Sequence, residues 1–200
     1  MHGVVPILIT PFDAADCIDE EGLRSVIDYN IDAGVHGLGV AFATETPKLT
    51  ETERDQVTRI VVEQARGRVP VVVNTGAPST HATVAYSMRA ADLGASAVMA
   101  TPPACPERVI KEYFGAMCDA VQIPVFVQEV SGIVGGGLLR QLAEENDNLR
   151  YAKIESAPSP QKILDAVEAC AGRVTVLGGS SGSQLIEELR RGSQGTMPWP

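Results

Sequence analysis

Positive charge is scarce in this chain: 16 lysines and arginines stand against 25 aspartates and glutamates, for a formal charge of −9. That balance argues against nucleic acid or an anionic membrane surface as a partner. Long apolar runs are missing as well, and no stretch approaches the length of a membrane span. Met1-His2-Gly3 leads directly into an apolar run, so no signal peptide is expected. The four cysteines (Cys17, Cys105, Cys118 and Cys170) show neither metal-type pairing nor dense disulfide spacing. They read as reduced thiols of a cytoplasmic protein. Three scattered histidines (His2, His36 and His81) form no zinc pattern, so catalysis without metal or other cofactor is expected.

What is present is a repeated unit: a short apolar run, a turn, then an amphipathic helix. Eight apolar runs occur, at 4–10, 37–42, 69–75, 97–101, 124–130, 151–156, 174–178 and 195–198. Between them apolar residues recur at three-and-four spacing. One such helix starts at Thr50-Glu51-Thr52-Glu53, a capping-box pattern, and carries Val57, Ile60, Val61 and Ala65. Another holds Val84, Met88, Ala91 and Leu93, and a third Val109, Tyr113, Met117 and Val121. Alternation of this kind needs parallel strands with crossover helices.

Eight near-continuous strands predict a closed (β/α)8 TIM barrel, one domain over 1–200. An open doubly wound sheet would show a glycine-rich phosphate loop after its first strand; here that strand ends in Thr10-Pro11-Phe12-Asp13. The eighth run passes into Met197-Pro198-Trp199-Pro200 with no eighth helix and no C-terminal helical extension after it. The barrel is therefore expected to be incomplete, with uncovered apolar surface that favours a homo-oligomer.

In a barrel, functional residues gather at the C-terminal ends of the strands. Thr44, Glu45, Thr75, Thr101, Gln128, Glu129, Lys153, Glu155, Gly178 and Gly179 fall there. Lys153 stands out: it is one of four lysines, set in the strand Tyr151-Ala152-Lys153-Ile154-Glu155-Ser156. Lysine is rarely buried without a purpose, and desolvation favours its neutral, nucleophilic amine. The bland alternative is a strand-end lysine paired with Glu155 and turned to solvent. Lys48, Lys111 and Lys162 read as loop or helix-surface residues.

The opening Pro6-Ile7-Leu8-Ile9-Thr10-Pro11-Phe12, the second-strand Thr44-Glu45 before Lys48-Leu49-Thr50, and a strand-six lysine together resemble the dihydrodipicolinate synthase/N-acetylneuraminate lyase family. Its members are class I lyases that act on small 2-oxo acids through a lysine Schiff base and form homo-oligomers. The resemblance implies that Lys153 is the Schiff-base lysine, that Gly179 is a strand-seven glycine at the site, and that the Met197 carbonyl faces substrate. Two departures are visible. The family has Thr-Thr-Gly-Glu after strand two, where this chain has the shorter Ala43-Thr44-Glu45. The family's strand-five tyrosine, a proton relay, is replaced by Gln128, which cannot titrate.

Phe126-Val127-Gln128-Glu129 and Ala152-Lys153-Ile154-Glu155 are similar to a branch of that family that dehydrates 2-keto-3-deoxy sugar acids. Dehydration is accordingly the expected reaction, with pyruvate-dependent aldol cleavage or condensation as the alternative. A barrel that only binds a small acid or a partner is the alternative outside enzymology. Lys153, Gln128 and Glu155 are the catalytic candidates, and Thr44, Glu45, Gly179 and Met197 the substrate-binding ones. For Thr44 a buried hydroxyl capping its loop is an equal reading. Glu155 can be read as a proton carrier or as a simple ion-pair partner. Glu45 can be an acid–base group or a loop-end charge. Glu129, adjacent to Gln128, should point to the opposite face.

Overall fold

Strand residues alternate between two apolar environments, and that alternation decides the architecture. The structure, a computed structural model, describes residues 1–199; Pro200 lies outside the described residues. Its strands are β1 (Gly3–Val4), β2 (Leu38–Val40), β3 (Val71–Asn74), β4 (Ala97–Ala100), β5 (Val125–Glu129), β6 (Leu149–Ile154), β7 (Thr175–Gly178) and β8 (Gly195–Thr196). Between them run α1 (Glu20–Asp32), α2 (Glu51–Ala65), α3 (Thr80–Asp92), α4 (Glu107–Ala120), α5 (Gly136–Glu145), α6 (Ser159–Cys170) and α7 (Leu185–Arg190). All pairings are parallel, in the order β1-β8-β7-β6-β5-β4-β3-β2. The ends of that order meet: the Gly39 amide donates to the Pro6 carbonyl, and the Leu8 amide to the Gly39 carbonyl, both at 2.9 Å. The result is a TIM-barrel ring with helices outside.

Ile7, Ala41, Val72, Met99, Phe126, Leu177 and Met197 point inward and plug the ring. Val71, Val73, Val98, Val125, Val127 and Val176 point outward into the larger core beneath the helices. Burial on both faces explains why β3 and β4 read as continuous apolar runs. The first strand is less regular than expected. Pro6 has no amide to give, and the Val4 amide donates to His36 Nδ1 at 3.2 Å. Regular pairing is thus confined to Gly3–Val4, though backbone bonds continue to Leu8.

The Thr50–Glu53 capping box forms as the sequence predicts, the Glu53 carboxylate accepting from the Thr50 amide at 2.8 Å. The face of α3 does not. It buries Thr83, Ser87 and Ala90, while Met88, predicted to face the core, is exposed. The hydroxyls find partners there: Thr75 Oγ1 and Ser87 Oγ lie 2.8 Å apart, and Thr83 Oγ1 and the Tyr113 hydroxyl 2.7 Å. Satisfied hydroxyls can be buried, and the end of β3 presents polar groups to meet them.

No helix follows β8 among the described residues. Pro6, Leu8, Val26, Tyr29, Pro198 and Trp199 line an open apolar cleft beside α1, as the expected uncovered surface requires. Among the described residues no helix is long and apolar enough to cross a membrane.

Gly195 tests the seam between β8 and β1. It has φ +155°, and a Cβ there would lie 2.0 Å from the Gly3 carbonyl oxygen, a backbone atom that cannot step aside. Gly195→Ala should cost about 3 kcal/mol or more, typical of severe overpacking. A urea melt with an unchanged midpoint would show that the seam is not built this way.

Candidate active site

The C-terminal layer of the ring changes from apolar to polar. Lys153 lies on β6 between Gln128 of β5 and Leu177 of β7 in register. Its side chain shares inward parity with Tyr151, which stacks on Phe126 at 4.4 Å between ring centroids. Lys153 is 2% exposed and ranks among the largest fully buried side chains. Burial pushes its amine below the usual lysine range, and the neighbouring Glu155 carboxylate opposes that shift. Lys153 Nζ stands 3.0 Å from Glu155 Oε1. The pairing with Glu155 is therefore present, but inside the barrel rather than in solvent.

Glu155 is held unequally at its two oxygens. Oε2 accepts from Gln128 Nε2 at 2.7 Å, and Oε1 accepts from the Ser180 amide at 3.4 Å. Gly179 makes this approach possible, since a Cβ there would meet Glu155 Cγ at 2.4 Å. Ser180–Gly182 forms a short 3-10 turn whose first amide thus serves Glu155. Gln128 Oε1 accepts from Asn74 Nδ2 at 2.8 Å and from Thr101 Oγ1 at 3.2 Å. The Asn74 Oδ1 in turn accepts from the Gly76 amide at 3.1 Å.

Lys153, Glu155, Gln128 and Gly179 therefore come together, as the sequence predicts. Thr44 and Glu45 are occupied differently. Thr44 is fully buried; its hydroxyl donates to the Leu8 carbonyl at 2.6 Å and accepts from the Ala41 amide at 3.0 Å. The loop-capping reading describes that hydroxyl. Glu45 has φ +61° at the end of a 3-10 turn and pairs with Lys48 at 2.5 Å, as a loop-end charge does. Met197 joins the apolar plug, its amide bonded to the Gly178 carbonyl at 2.9 Å.

Glu129 faces outward as predicted, yet it is 2% exposed. Its carboxylate accepts from the amides of Ser131 and Gly132 and from the Ser156 hydroxyl. Lys162, read from sequence as a helix-surface residue, donates to Ser156 Oγ at 2.6 Å and lies beside the same cluster. Asn74 went unnoticed in the sequence. The available signal was its position: one amide closing an all-valine strand, with the inward parity of Val72.

An amine poised for attack, a carboxylate 3.0 Å away and a neutral amide form a set suited to imine chemistry on a carbonyl compound. A cleft of about 660 Å³ lined by Phe42, Thr46, Asn74, Gly76, Thr101 and Pro103 opens onto the Asn74–Thr101 side. It has room for a small molecule. Among the described residues no three His, Cys, Asp or Glu side chains cluster as metal ligands.

Comparison with known proteins agrees with this fold. The sequence pattern of the Dihydrodipicolinate synthetase family matches residues 1–196. An L-2-keto-3-deoxyarabonate dehydratase from Azospirillum brasilense is 34% identical over 209 residues, covering 98% of this chain and 67% of the relative. A 4-hydroxy-tetrahydrodipicolinate synthase from Thermomicrobium roseum is also 34% identical, over 203 residues, with the same coverage. This chain thus spans about two thirds of the length of these relatives. Among solved structures, YagE, a prophage protein of the dihydrodipicolinic acid synthase family from E. coli K12 in complex with pyruvate, superposes with TM-score 0.93. It is 26% identical, over 99% of this chain and 70% of that one. Dihydrodipicolinate synthase from Aquifex aeolicus gives TM-score 0.91 at 26% identity, over 98% and 68%.

The depressed basicity of Lys153 is directly measurable. In protein carrying 13Cε-labelled lysine, one resonance should titrate below the ordinary lysine value of about 10.4 and vanish in Lys153→Arg. A Lys153 signal that titrates at or above that value would contradict the desolvated amine.

Proposed function

The chain belongs to the dihydrodipicolinate synthetase family, and on that premise we propose that it is a class I lyase that dehydrates a 2-keto-3-deoxy sugar acid. The observation that carries this reading is the buried Lys153–Glu155 pair capped by the Gln128 amide. Lys153, in its neutral form, attacks the C2 ketone, and loss of water gives an imine. The protonated imine is an electron sink, so a C3 proton can leave and an enamine forms. Glu155, 3.0 Å from Nζ, is the carboxylate placed to take that proton. The enamine electrons then expel the C4 hydroxyl, which departs as water with a returned proton, and hydrolysis frees the product and Lys153.

Condensation or cleavage through the same imine is the second reading, favoured by the relatives named 4-hydroxy-tetrahydrodipicolinate synthase. Gln128 weighs against it. A titrating hydroxyl at that place on strand five would relay protons, whereas an amide can only orient what it touches. Proton handling then falls to Glu155. Dehydration and C3–C4 cleavage differ in what leaves the enamine, so product analysis separates them. Cleavage releases pyruvate; dehydration keeps every carbon in one 2-oxo product.

Borohydride trapping with pyruvate and with a 2-keto-3-deoxy pentonate tests the shared step. The expected adduct maps to the peptide containing Lys153, and Lys153→Ala brings it down to background. A folded protein that yields no adduct, or one whose adduct survives Lys153→Ala, would overturn the lyase reading.

A further inference from the structure

Resting on that reading, we propose that Asn74 is a positioning residue: through Gln128 it fixes which way the Glu155 carboxylate is solvated beside Lys153. The argument begins with a group whose direction is not adjustable. A backbone amide can only donate, so the Gly76 amide, 3.1 Å from the Asn74 side chain, must face its oxygen. That choice turns Asn74 Nδ2 toward Gln128. A donor arriving there at 2.8 Å must meet the Gln128 oxygen, and Thr101 Oγ1 supplies a second donor to the same atom at 3.2 Å. Gln128 is left with its NH2 aimed at Glu155 Oε2, 2.7 Å away. A one-way chain therefore runs from the Gly76 amide through two side-chain amides to the carboxylate, and ends at Lys153.

The direction matters because the reverse arrangement is sterically equal and electrostatically opposite. Were the Gln128 amide turned over, its oxygen would face the carboxylate, two acceptors with no proton between them. Gln128 and Asn74 are each 2% exposed, so water cannot repair such a mismatch. The groups facing Glu155 are Lys153 from β6, the Gln128 amide from β5, and Gly179 with the Ser180 amide from the β7 end; Lys153 is the charged one among them. Asn74 hydrogen-bonds to neither Lys153 nor Glu155 and acts through Gln128.

Asn74→Asp reverses the chain without changing its shape. One aspartate oxygen still accepts from Gly76, while the other presents an acceptor to Gln128 and turns its amide over. The Gln128 oxygen then opposes the charged form of Glu155. With a 2-keto-3-deoxy pentonate as substrate, kcat near neutral pH should fall about 10- to 100-fold, within the range of a misplaced acid–base group. KM should stay within about threefold, and the acid limb of the pH profile should move to higher pH. The side-chain NH2 resonances of Gln128, identified by their loss in Gln128→Ala, should shift in Asn74→Asp without any substrate, because the amide has turned. In a Gln128→Ala background the same change should add little, because the intermediary is gone.

Thr101→Val, which removes the second donor at nearly constant volume, should shift kcat and the Gln128 amide resonances in the same direction by a smaller factor. It stands in if Asn74→Asp does not fold. Unaltered pH profile and Gln128 amide resonances in a folded variant, or full additivity with Gln128→Ala in kcat, would overturn the proposal. These outcomes are distinct from failure of the lyase reading, in which the parent protein itself forms no borohydride adduct while the Gln128 amide resonances still report on the chain.

Discussion

The buried ion pair between Lys153 and Glu155 is the constraint around which the upper half of the barrel is arranged. Removing one ion from water costs on the order of several kcal/mol, and Coulomb attraction alone does not guarantee repayment. The remaining hydrogen-bonding capacity must be met locally. Glu155 meets it with Gln128 and the Ser180 amide, and Gln128 meets its own with Asn74 and Thr101. A polar layer of five strands' contributions therefore follows from a single decision to bury a lysine. Beneath it the inward plug of Val72, Met99, Phe126 and Leu177 keeps water from the stem of Lys153, which is what weakens its basicity. Nucleophilicity and packing are here one arrangement.

Much of this was legible because a parallel barrel imposes simple rules on sequence. Each strand had to read as an apolar run, and functional side chains had to fall at the C-terminal ends with inward parity. Lys153 and Glu155, two residues apart, inherited a common face; Gln128 and Glu129, adjacent, were forced apart. What stayed hidden depends on partners distant in the chain. The hydroxyl stripe of α3 was passed over because Thr83 and Ser87 are polar, and only Tyr113 and the end of β3 make them buriable. Asn74 is hidden in the sequence for a related reason: its meaning comes from Gln128, 54 residues away. Thr44 lay between these cases, since either role suited a strand-end hydroxyl until the Leu8 carbonyl was found to hold it.

The same strand ends are secured from outside. Glu129 gathers the amides of Ser131 and Gly132 with the Ser156 hydroxyl, and Lys162 closes the cluster from α6. The Glu155 amide also donates to the Glu129 carbonyl at 2.8 Å, so the inward and outward carboxylates share a backbone hinge. The sequence pattern places Lys162 on a helix surface and Glu129 on the face opposite Gln128. Their contacts hold the loops after β5 and β6, while the opposite face of those strands carries Gln128, Lys153 and Glu155.

Replacing a titrating group by an amide on strand five redistributes work rather than removing it. An amide has no proton to lend, so any acid–base step near C3 must pass through a neighbour, and Glu155 is the carboxylate in hydrogen-bond contact with Gln128. A carboxylate asked to carry protons must exchange between charged and neutral forms, which a rigid ring of donors would prevent. The layer answers this by being asymmetric. Glu155 Oε2 has the short bond to Gln128, whereas Oε1 shares a longer Ser180 contact with Lys153. Once the amine has become a protonated imine, Oε1 is the oxygen beside it, and its weaker backbone contact leaves it the freer of the two to accept a proton. In the proposed reaction the firmly held oxygen sets the position of the carboxylate, and the loosely held one does the chemistry.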